Sequence, residues 1–296
     1  MTNNDSLFAA DWLALREPAD ARARSSRLAE VAGDWLASRT FNRAEIIDLG
    51  AGSGANLRYL APRLTTNQSW TLIDHDASLL ARATESKLPD CAHRSVSVTT
   101  RTIDLNACLD DLPGEGLVTA SALLDLVTRE WIEKLIQACH RANCAVLFAL
   151  SVDGHMQIGD PSSHTPETKR DDAWIFNQVA THQRRNKGMG RALGSEGPEV
   201  LRQVLAENGY QVYSAVTPWR LDTVDLKLAL AALDEWARAA TTAAPESSYF
   251  IQTWQARRQA ALRQGLCSLQ VGHHDVLGLP IEPASARSNN VSGSKE

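Results

Sequence analysis

Short apolar runs alternate with longer amphipathic stretches through the first half of the chain. The runs have the length of buried strands, and the stretches between them carry Leu, Ala and Ile at helical spacing. The predicted strands lie at 46–49, 70–74, 96–103, 117–121 and 145–152. Strands that alternate with helices in this way predict parallel βαβ units, and therefore a doubly wound α/β fold.

The alternation ends after residue 152. We expect a loop over 153–172 and a helix at 171–188 that begins at an aspartate. A helix that stops at Gly209 precedes a strand at 210–217, with which the last strand is expected to pair. The last three elements, two helices and a strand, are predicted at 224–240, 247–265 and 267–280. The complete prediction is a mostly parallel, seven-stranded sheet with added helices.

Composition and charge are those of a soluble globular protein. The 296 residues are 44% hydrophobic and 22% charged, with a net charge of −5. The acidic balance argues against a nucleic-acid partner, which usually selects a basic excess. Five scattered cysteines without a C-x-x-C pair indicate neither a zinc site nor a disulfide framework, and no metal is predicted. Because no signal peptide or membrane span is evident either, we expect a cytoplasmic protein.

A glycine-rich turn follows the first predicted strand in EIIDLGAGSGANL, residues 45–57. Glycines at 50, 52 and 54 permit tight turning and a close approach of a ligand, and a turn with a purely structural role would not require three of them. The spacing does not choose the ligand. Gly50, Gly52 and Ala55 loosely satisfy the dinucleotide pattern G-x-G-x-x-G/A, and Asp74 lies where a ribose-binding acid belongs in NAD folds.

An acidic residue beside the turn favours a different ligand. Asp48 ends the strand, and a carboxylate pointing into the crevice would repel a diphosphate but suit the ammonium and sulfonium of S-adenosylmethionine (SAM). Asp74 and Asp104 end the next two strands, where they can accept from ribose hydroxyls and from an adenine amino group. Each acid alone could be a surface charge or a helix cap. Their position at three successive strand ends favours the ligand site.

With these residues the chain resembles the Rossmann-like SAM-dependent methyltransferases. IIDLGAGSG resembles their D-x-G-x-G-x-G signature, and LIDHDASLL, IDLNACLDDLP and LVTASALLDLV resemble their later cofactor segments. The resemblance covers 45–152. It implies that SAM is held by Asp48, Gly50, Gly52, Gly54, Asp74, His75, Asp104, Leu105 and Ser121. The chain departs from the family at 123–125, where Leu-Leu-Asp replaces residues that are often His or aromatic.

Patterning, composition and the resemblance together divide the chain. Residues 1–44 form a helical extension, 45–152 the cofactor-binding core, 153–283 helical insertions and last strands on the substrate side, and 284–296 a disordered tail. Within the extension, Pro18 is expected to separate two helices. Its arginines, Arg16, Arg22 and Arg24, either reach the cofactor carboxylate or lie on a solvated amphipathic helix.

Candidate residues for the reaction come from segments that should face the transferred methyl group. The catalytic candidates are Asp125, His155 and His182, and the substrate-binding candidates are Asp153, Arg185 and Lys187. The stretch 169–191 holds six Lys or Arg against two Asp, which favours an anionic acceptor. The alternative is a basic, solvated helix end that complements the helix dipole.

These observations lead to one functional prediction with three alternatives. We predict a SAM-dependent methyltransferase that acts on a small-molecule acceptor by in-line transfer, without a membrane or nucleic-acid partner. The alternatives are an RNA or protein methyltransferase, an NAD-dependent oxidoreductase, and a nucleotide-binding module without turnover, since fold alone does not imply activity.

Overall fold

The computed structural model describes most of the chain. The described residues are 3–40, 42–86, 90–91, 94–107, 112, 114–159, 166–186 and 190–281. The predicted disordered tail at 284–296 lies outside them. None of the described helices is long and apolar enough to cross a bilayer.

One sheet organises the described residues. Its strands are β1 (Arg43–Leu49), β2 (Asn67–Asp74), β3 (Val96–Thr102), β4 (Leu117–Ser121), β5 (Ala145–Gly159), β6 (Tyr210–Val216), β7 (Trp219–Leu221) and β8 (Ser268–Pro280). The order is β3-β2-β1-β4-β5-β8-β6, and β7 pairs with another part of β8. The first five strands are parallel, while β8 runs antiparallel to β5, β6 and β7. The predicted α/β class and mostly parallel sheet are confirmed, with the three-residue β7 as an eighth strand.

Helices cover both faces of this sheet and extend beyond one edge. They are α1 (Asn3–Ala23), α2 (Ser26–Arg39), α3 (Ala55–Leu60), α4 (Ala77–Glu85), α5 (Arg129–Arg141), α6 (Pro166–Gln183), α7 (Gly197–Glu207), α8 (Leu226–Ala243) and α9 (Ser248–Arg263). Leucines of α2, α3 and α4 share one apolar core with one face of the sheet, and those of α5 and α7 share a second core with the other face. A third core joins α6, α8 and α9 to β7 and the start of β8, and we call these five elements the helical cap.

Two sequence predictions in the second half are wrong. The loop expected over 153–172 contains the end of β5 and the start of α6, so the helix predicted at 171–188 begins earlier, at Pro166. The last residues of β5 are held by β8, for example Met156 by Val271 and Gly159 by Ser268. This pairing partner lies more than a hundred residues away, and local hydrophobic patterning does not reveal it.

The predicted helix break at Pro18 is also wrong. Helix α1 continues through Pro18, and the chain turns at Ser25, whose side chain caps α2 by accepting from the Leu28 amide at 3.2 Å. This displaced turn matters for the site because it places Arg24 against the carboxyl ends of the central strands.

Candidate cofactor and acceptor site

The glycine turn adopts backbone conformations that only glycine enters without strain. Gly50, Gly52 and Gly54 have φ of +64°, +52° and +82°. Their missing Cβ atoms matter as well, since a Cβ on Gly52 would lie 3.3 Å from Leu13 of α1 and one on Gly54 would lie 3.0 Å from Ala83. Helix α1 therefore packs directly over the turn.

Asp74 holds the turn from the neighbouring strand. Its side chain is buried, and Oδ2 accepts from the Gly52 amide at 2.8 Å while Oδ1 accepts from the Asp76 amide at 3.0 Å. The ring of the exposed His75 lies 3.3 Å from Oδ1. Each carboxylate oxygen can accept more than one hydrogen bond, so Asp74 retains acceptor capacity for a ligand hydroxyl.

Asp48 lies beneath the turn and is fully buried. The sequence places this carboxylate in an open crevice, and the structure corrects that expectation. Oδ1 accepts from Asn56 Nδ2 at 2.7 Å, whereas Oδ2 has no hydrogen-bond partner. Burial raises the pKa of Asp48 to about 7, although the Asn56 hydrogen bond and the charge of Arg24 lower it.

Arg24 brings a buried positive charge to the same place. It is 8% exposed, and its guanidinium lies 4.0 Å from the centroid of the Tyr59 ring. Burial lowers its pKa, which Asp275, Tyr59, Asp48 and Asp20 raise in part, and Nε has no partner. Its neighbours Arg16 and Arg22 are engaged elsewhere, with Asp20 and Asp225. Of the three arginines considered in the sequence, Arg24 is the one that lies beside Asp48 and the glycine turn.

A cavity of about 160 Å³, the arginine cavity, lies beside Arg24. Its lining includes Asn56, Tyr59, Ser121 and Leu150. Ser121, a predicted cofactor contact, ends β4, next to β1 in the sheet. Asn56 also presents an unpartnered buried atom, Oδ1. The arginine cavity therefore lies beside a cluster of donors and acceptors that the protein itself leaves unsatisfied.

The remaining predicted cofactor contacts lie next along the sheet edge. Asp104 is exposed just after β3, in the turn whose Leu105 is half-buried. The Leu105 carbonyl accepts from Trp131 Nε1 at 3.2 Å, which fixes the turn against α5. Since the strand order is β3-β2-β1, Asp104, Asp74 and Asp48 follow one another along the edge.

A second cavity of about 160 Å³ shares Leu150 with the arginine cavity as a lining residue. We call it the tryptophan-walled cavity because Trp12, Trp219 and Trp236 line it. Part of its lining comes from Ala122, directly after β4, and Leu150, within β5, which have φ of +54° and +53°. Such conformations are strained for residues with a Cβ, and at Leu150 the strain coincides with an irregularity in the pairing of β5 with β8.

The structure separates the predicted reaction residues into two groups. Asp125 and His155 line the tryptophan-walled cavity. Asp153 contacts His274 at 3.3 Å instead. From α6 the described lining includes Gln183 but not His182, while Arg185, which follows the helix, donates to the Thr242 carbonyl at 2.9 Å. Lys187 lies outside the described residues.

His273 is a candidate that sequence reasoning passed over. It is 2% exposed and lines the tryptophan-walled cavity, 5.1 Å from the Trp219 ring, and its Nδ1 has no partner. The sequence offers little indication of this role. His273 and His274 are adjacent in a predicted strand, and the sequence alone does not show which of the two rings faces a cavity. In the described part of the chain, no group of three or more His, Cys, Asp or Glu could hold a metal ion.

Comparison with known proteins gives matches only among solved structures. No family model matches the chain, and no curated protein does. A mycolic acid cyclopropane synthase complexed with SAH is 14% identical, covering 84% of this chain and 82% of its own, with a TM-score of 0.42. A SAM-dependent methyltransferase from Geobacter sulfurreducens in complex with S-adenosyl-L-homocysteine is 18% identical, covering 87% and 92%, with a TM-score of 0.40. At these scores the functional assignment rests on the contacts of this chain.

Proposed function

We propose that this chain is a SAM-dependent methyltransferase that transfers a methyl group in line to a small-molecule acceptor. The observation that carries the proposal is a pair of unpartnered buried atoms beside the glycine turn, Asp48 Oδ2 and Arg24 Nε. Leaving such an atom unpaired costs about 1–3 kcal/mol, and more for a charged group. The amino-acid end of SAM carries an ammonium for the carboxylate and a carboxylate for the guanidinium.

The other contacts at the sheet edge suit the nucleoside end of the same molecule. Asp74 retains acceptor capacity for ribose hydroxyls, with His75 beside it. Asp104 and the Leu105 amide are proposed to hold the adenine, and Ser121 to face the amino-acid end. A buried carboxylate at Asp48 disfavours the diphosphate of NAD, which carries no ammonium to pair with it.

When bound, SAM supplies a methyl group that is already activated on a sulfonium. The chain itself binds and orients the cofactor and the acceptor and excludes water from between them. Such positioning lowers the activation barrier by about 7–11 kcal/mol in favourable cases. Leu150 lines both cavities, and its amide is fixed by Asp275 Oδ1 at 2.8 Å. This wall would set the separation between cofactor and acceptor. In this proposal 45–152 holds the cofactor together with Arg24, while the rest of 1–44 and 153–283 contribute the acceptor side.

Two further observations bear on acceptor and compartment. The tryptophan-walled cavity is small and has Asp125 and Glu235 in its lining, which supports a small molecule and does not favour RNA or a strongly anionic acceptor. No disulfide joins the four described cysteines, which are all buried: Cys91, Cys139, Cys144 and Cys267. Buried thiols support the proposal of a reducing, cytoplasmic setting.

Calorimetry with SAM, its demethylated product and NAD tests this function. Binding of SAM and its demethylated product, with no comparable binding of NAD, is expected, and tighter binding of NAD would overturn the proposal.

The affinity for SAM should also depend on pH through Asp48. An ammonium favours the ionised carboxylate, so below the pKa of about 7 binding must release a proton. As the pH falls below 7, the dissociation constant should rise by up to about tenfold per pH unit.

The Asp48→Asn variant supplies the matched control. Asparagine fills nearly the same volume but has no charge to pair with the ammonium, so binding should be weak and the pH dependence around 7 should vanish. A variant that retained the wild-type pH profile would show that another group titrates, and Asp48 would lose its assigned role.

A further inference from the structure

The tryptophan-walled cavity has a size, a wall chemistry and a polar group that together select a class of acceptor. We infer that it binds an uncharged, one-ring aromatic acceptor whose hydroxyl or amino group forms a hydrogen bond with His273 Nδ1. The inference rests on the proposed function, which it extends from the cofactor to the acceptor.

Size sets the first limit. The cavity measures about 160 Å³, and an engineered protein cavity of about 150 Å³ accommodates benzene. One aromatic ring with a small substituent therefore fills the space. Trp12, Trp219 and Trp236 offer ring faces and edges, against which an aromatic molecule packs favourably.

The charges of the lining residues limit which acceptors can bind. The one arginine in the described lining, Arg16, is bound through Nε to Asp20 Oδ2 at 2.8 Å and lies 4.9 Å over the Trp219 ring. The lining also contains two carboxylates, Asp125 and Glu235, and Glu235 pairs with Arg238 at 2.8 Å. No cation in the described lining is left over for an anionic acceptor. This conclusion differs from the anionic acceptor that the basic stretch 169–191 suggests.

His273 supplies the polar selectivity. Burial, with a smaller effect of Arg16, lowers its pKa to about 3, so the ring is uncharged near neutral pH. Its buried Nδ1 has no hydrogen-bond partner among the described residues. In an uncharged imidazole each ring nitrogen either donates or accepts one hydrogen bond. A hydroxyl or amino group that reaches Nδ1 would satisfy a buried atom that the protein leaves unpaired.

Three one-ring molecules separate these features: phenol, which is a neutral donor, toluene, which has the same size without a donor, and benzoate, which is an anion. Each is titrated into the wild-type protein and the dissociation constants are measured by tryptophan fluorescence. Phenol and toluene should bind, and benzoate should bind at least tenfold more weakly than phenol. In ¹⁵N NMR spectra, the His273 Nδ1 signal should shift on addition of phenol but not of toluene. Preferential binding of benzoate, or no shift with phenol, would overturn the inference.

Substitutions at two adjacent histidines provide the comparison. His273→Leu should reduce the preference for phenol over toluene about tenfold, a typical effect of losing one buried hydrogen bond. His274→Leu, at the neighbouring position outside the described lining, should retain the wild-type preference. An unchanged preference in His273→Leu would contradict the inference. If that variant does not fold, the NMR shift in the wild-type protein decides alone.

SAM binding is measured in the same samples. Phenol selectivity without SAM binding would leave the cavity assignment intact and overturn the proposed function. SAM binding without phenol selectivity would leave the proposed function intact and overturn the cavity assignment.

Discussion

The two sides of the site are built in different ways. At the cofactor edge, the glycine turn and Asp74 come from a short stretch of chain, 48–76, to which other elements add Arg24, Asp104 and Ser121. The tryptophan-walled cavity draws its lining from residues as far apart as Trp12 and His273. The edge carries unpartnered atoms of two buried charged groups, while the cavity has mostly apolar walls and one unpartnered atom of an uncharged ring, His273 Nδ1. The edge can therefore select a ligand by charge, and the cavity by shape and one hydrogen bond.

The stabilising interactions differ in the same way. The helical cap has its own apolar core and a buried ion pair, in which Arg258 Nε donates to Asp172 Oδ1 at 2.9 Å. Trp254 Nε1 donates to the same oxygen at 2.8 Å. The buried charges of the cap are thus paired, and those at the cofactor edge are left for a ligand. A region that is fully satisfied without a ligand suits a scaffold, and one that is not suits a binding site.

The largest effect is expected in the cap, at Asp172. Asp172→Ala leaves the Arg258 guanidinium buried and unpaired and removes the acceptor of Trp254. Loss of one partner of a buried pair typically costs about 3–5 kcal/mol. The free energy of unfolding, measured by urea titration with circular dichroism, should fall by this amount.

The adjacent residue provides the control. Asp171 pairs with Arg257 at 2.6 Å at the surface, and Asp171→Ala should cost about 0–1 kcal/mol. Equal losses in the two variants would break the contrast between buried and exposed pairs, and would mean that the cap does not depend on its buried ion pair.

The second effect is expected at the cofactor edge, at Asp74. Asp74→Ala should weaken SAM binding by about 1.5–3 kcal/mol through the lost acceptor for the ribose. It should also lower stability by about 1–3 kcal/mol, because the buried Gly52 amide loses its partner. Calorimetry and urea titration measure the two losses separately. The double effect is the signature of a residue that both supports the turn and contacts the ligand.

Asp76→Ala is the matched control for that residue. Asp76 caps α4 by accepting from the Ser78 and Leu79 amides. Its loss should cost about 0.5–2 kcal/mol of stability and leave SAM affinity unchanged. If Asp74→Ala behaved in the same way, with normal SAM binding, Asp74 would be a structural residue only.

Sequence patterning located the residues around the glycine turn better than those of the tryptophan-walled cavity, for a physical reason. The glycines, Asp48 and Asp74 lie at strand ends, where local patterning identifies both the strand and the residue that follows it. Burial was the part that patterning missed. Patterning predicts that an aspartate at a strand end is exposed to solvent. Only the packing of α1 and α2 shows that Asp48 and Arg24 are buried together.

The cavity depended on contacts that no local pattern contains. The end of β5 was predicted to be a loop because its polar residues break the apolar run, yet pairing with β8 keeps it extended. His273 becomes a candidate only when that pairing places β8 beside the end of β5 and Trp219 packs against its ring. The excess of Lys and Arg in 169–191 suggested an anion-binding site. However, the sequence does not show which groups each of these basic side chains already contacts.

The smallest effect is expected at Arg185, and it tests that last point. Its exposed side chain donates to the Thr242 carbonyl in the last turn of α8, where a cation complements the helix dipole. Arg185→Ala should change the free energy of unfolding by less than about 0.5 kcal/mol, as is usual for surface substitutions. The affinities for SAM and for phenol should stay within about twofold, because no described contact joins Arg185 to either cavity. A tenfold loss of phenol or benzoate affinity would instead place Arg185 at the mouth of the tryptophan-walled cavity and restore the anion-binding role that its sequence context suggests.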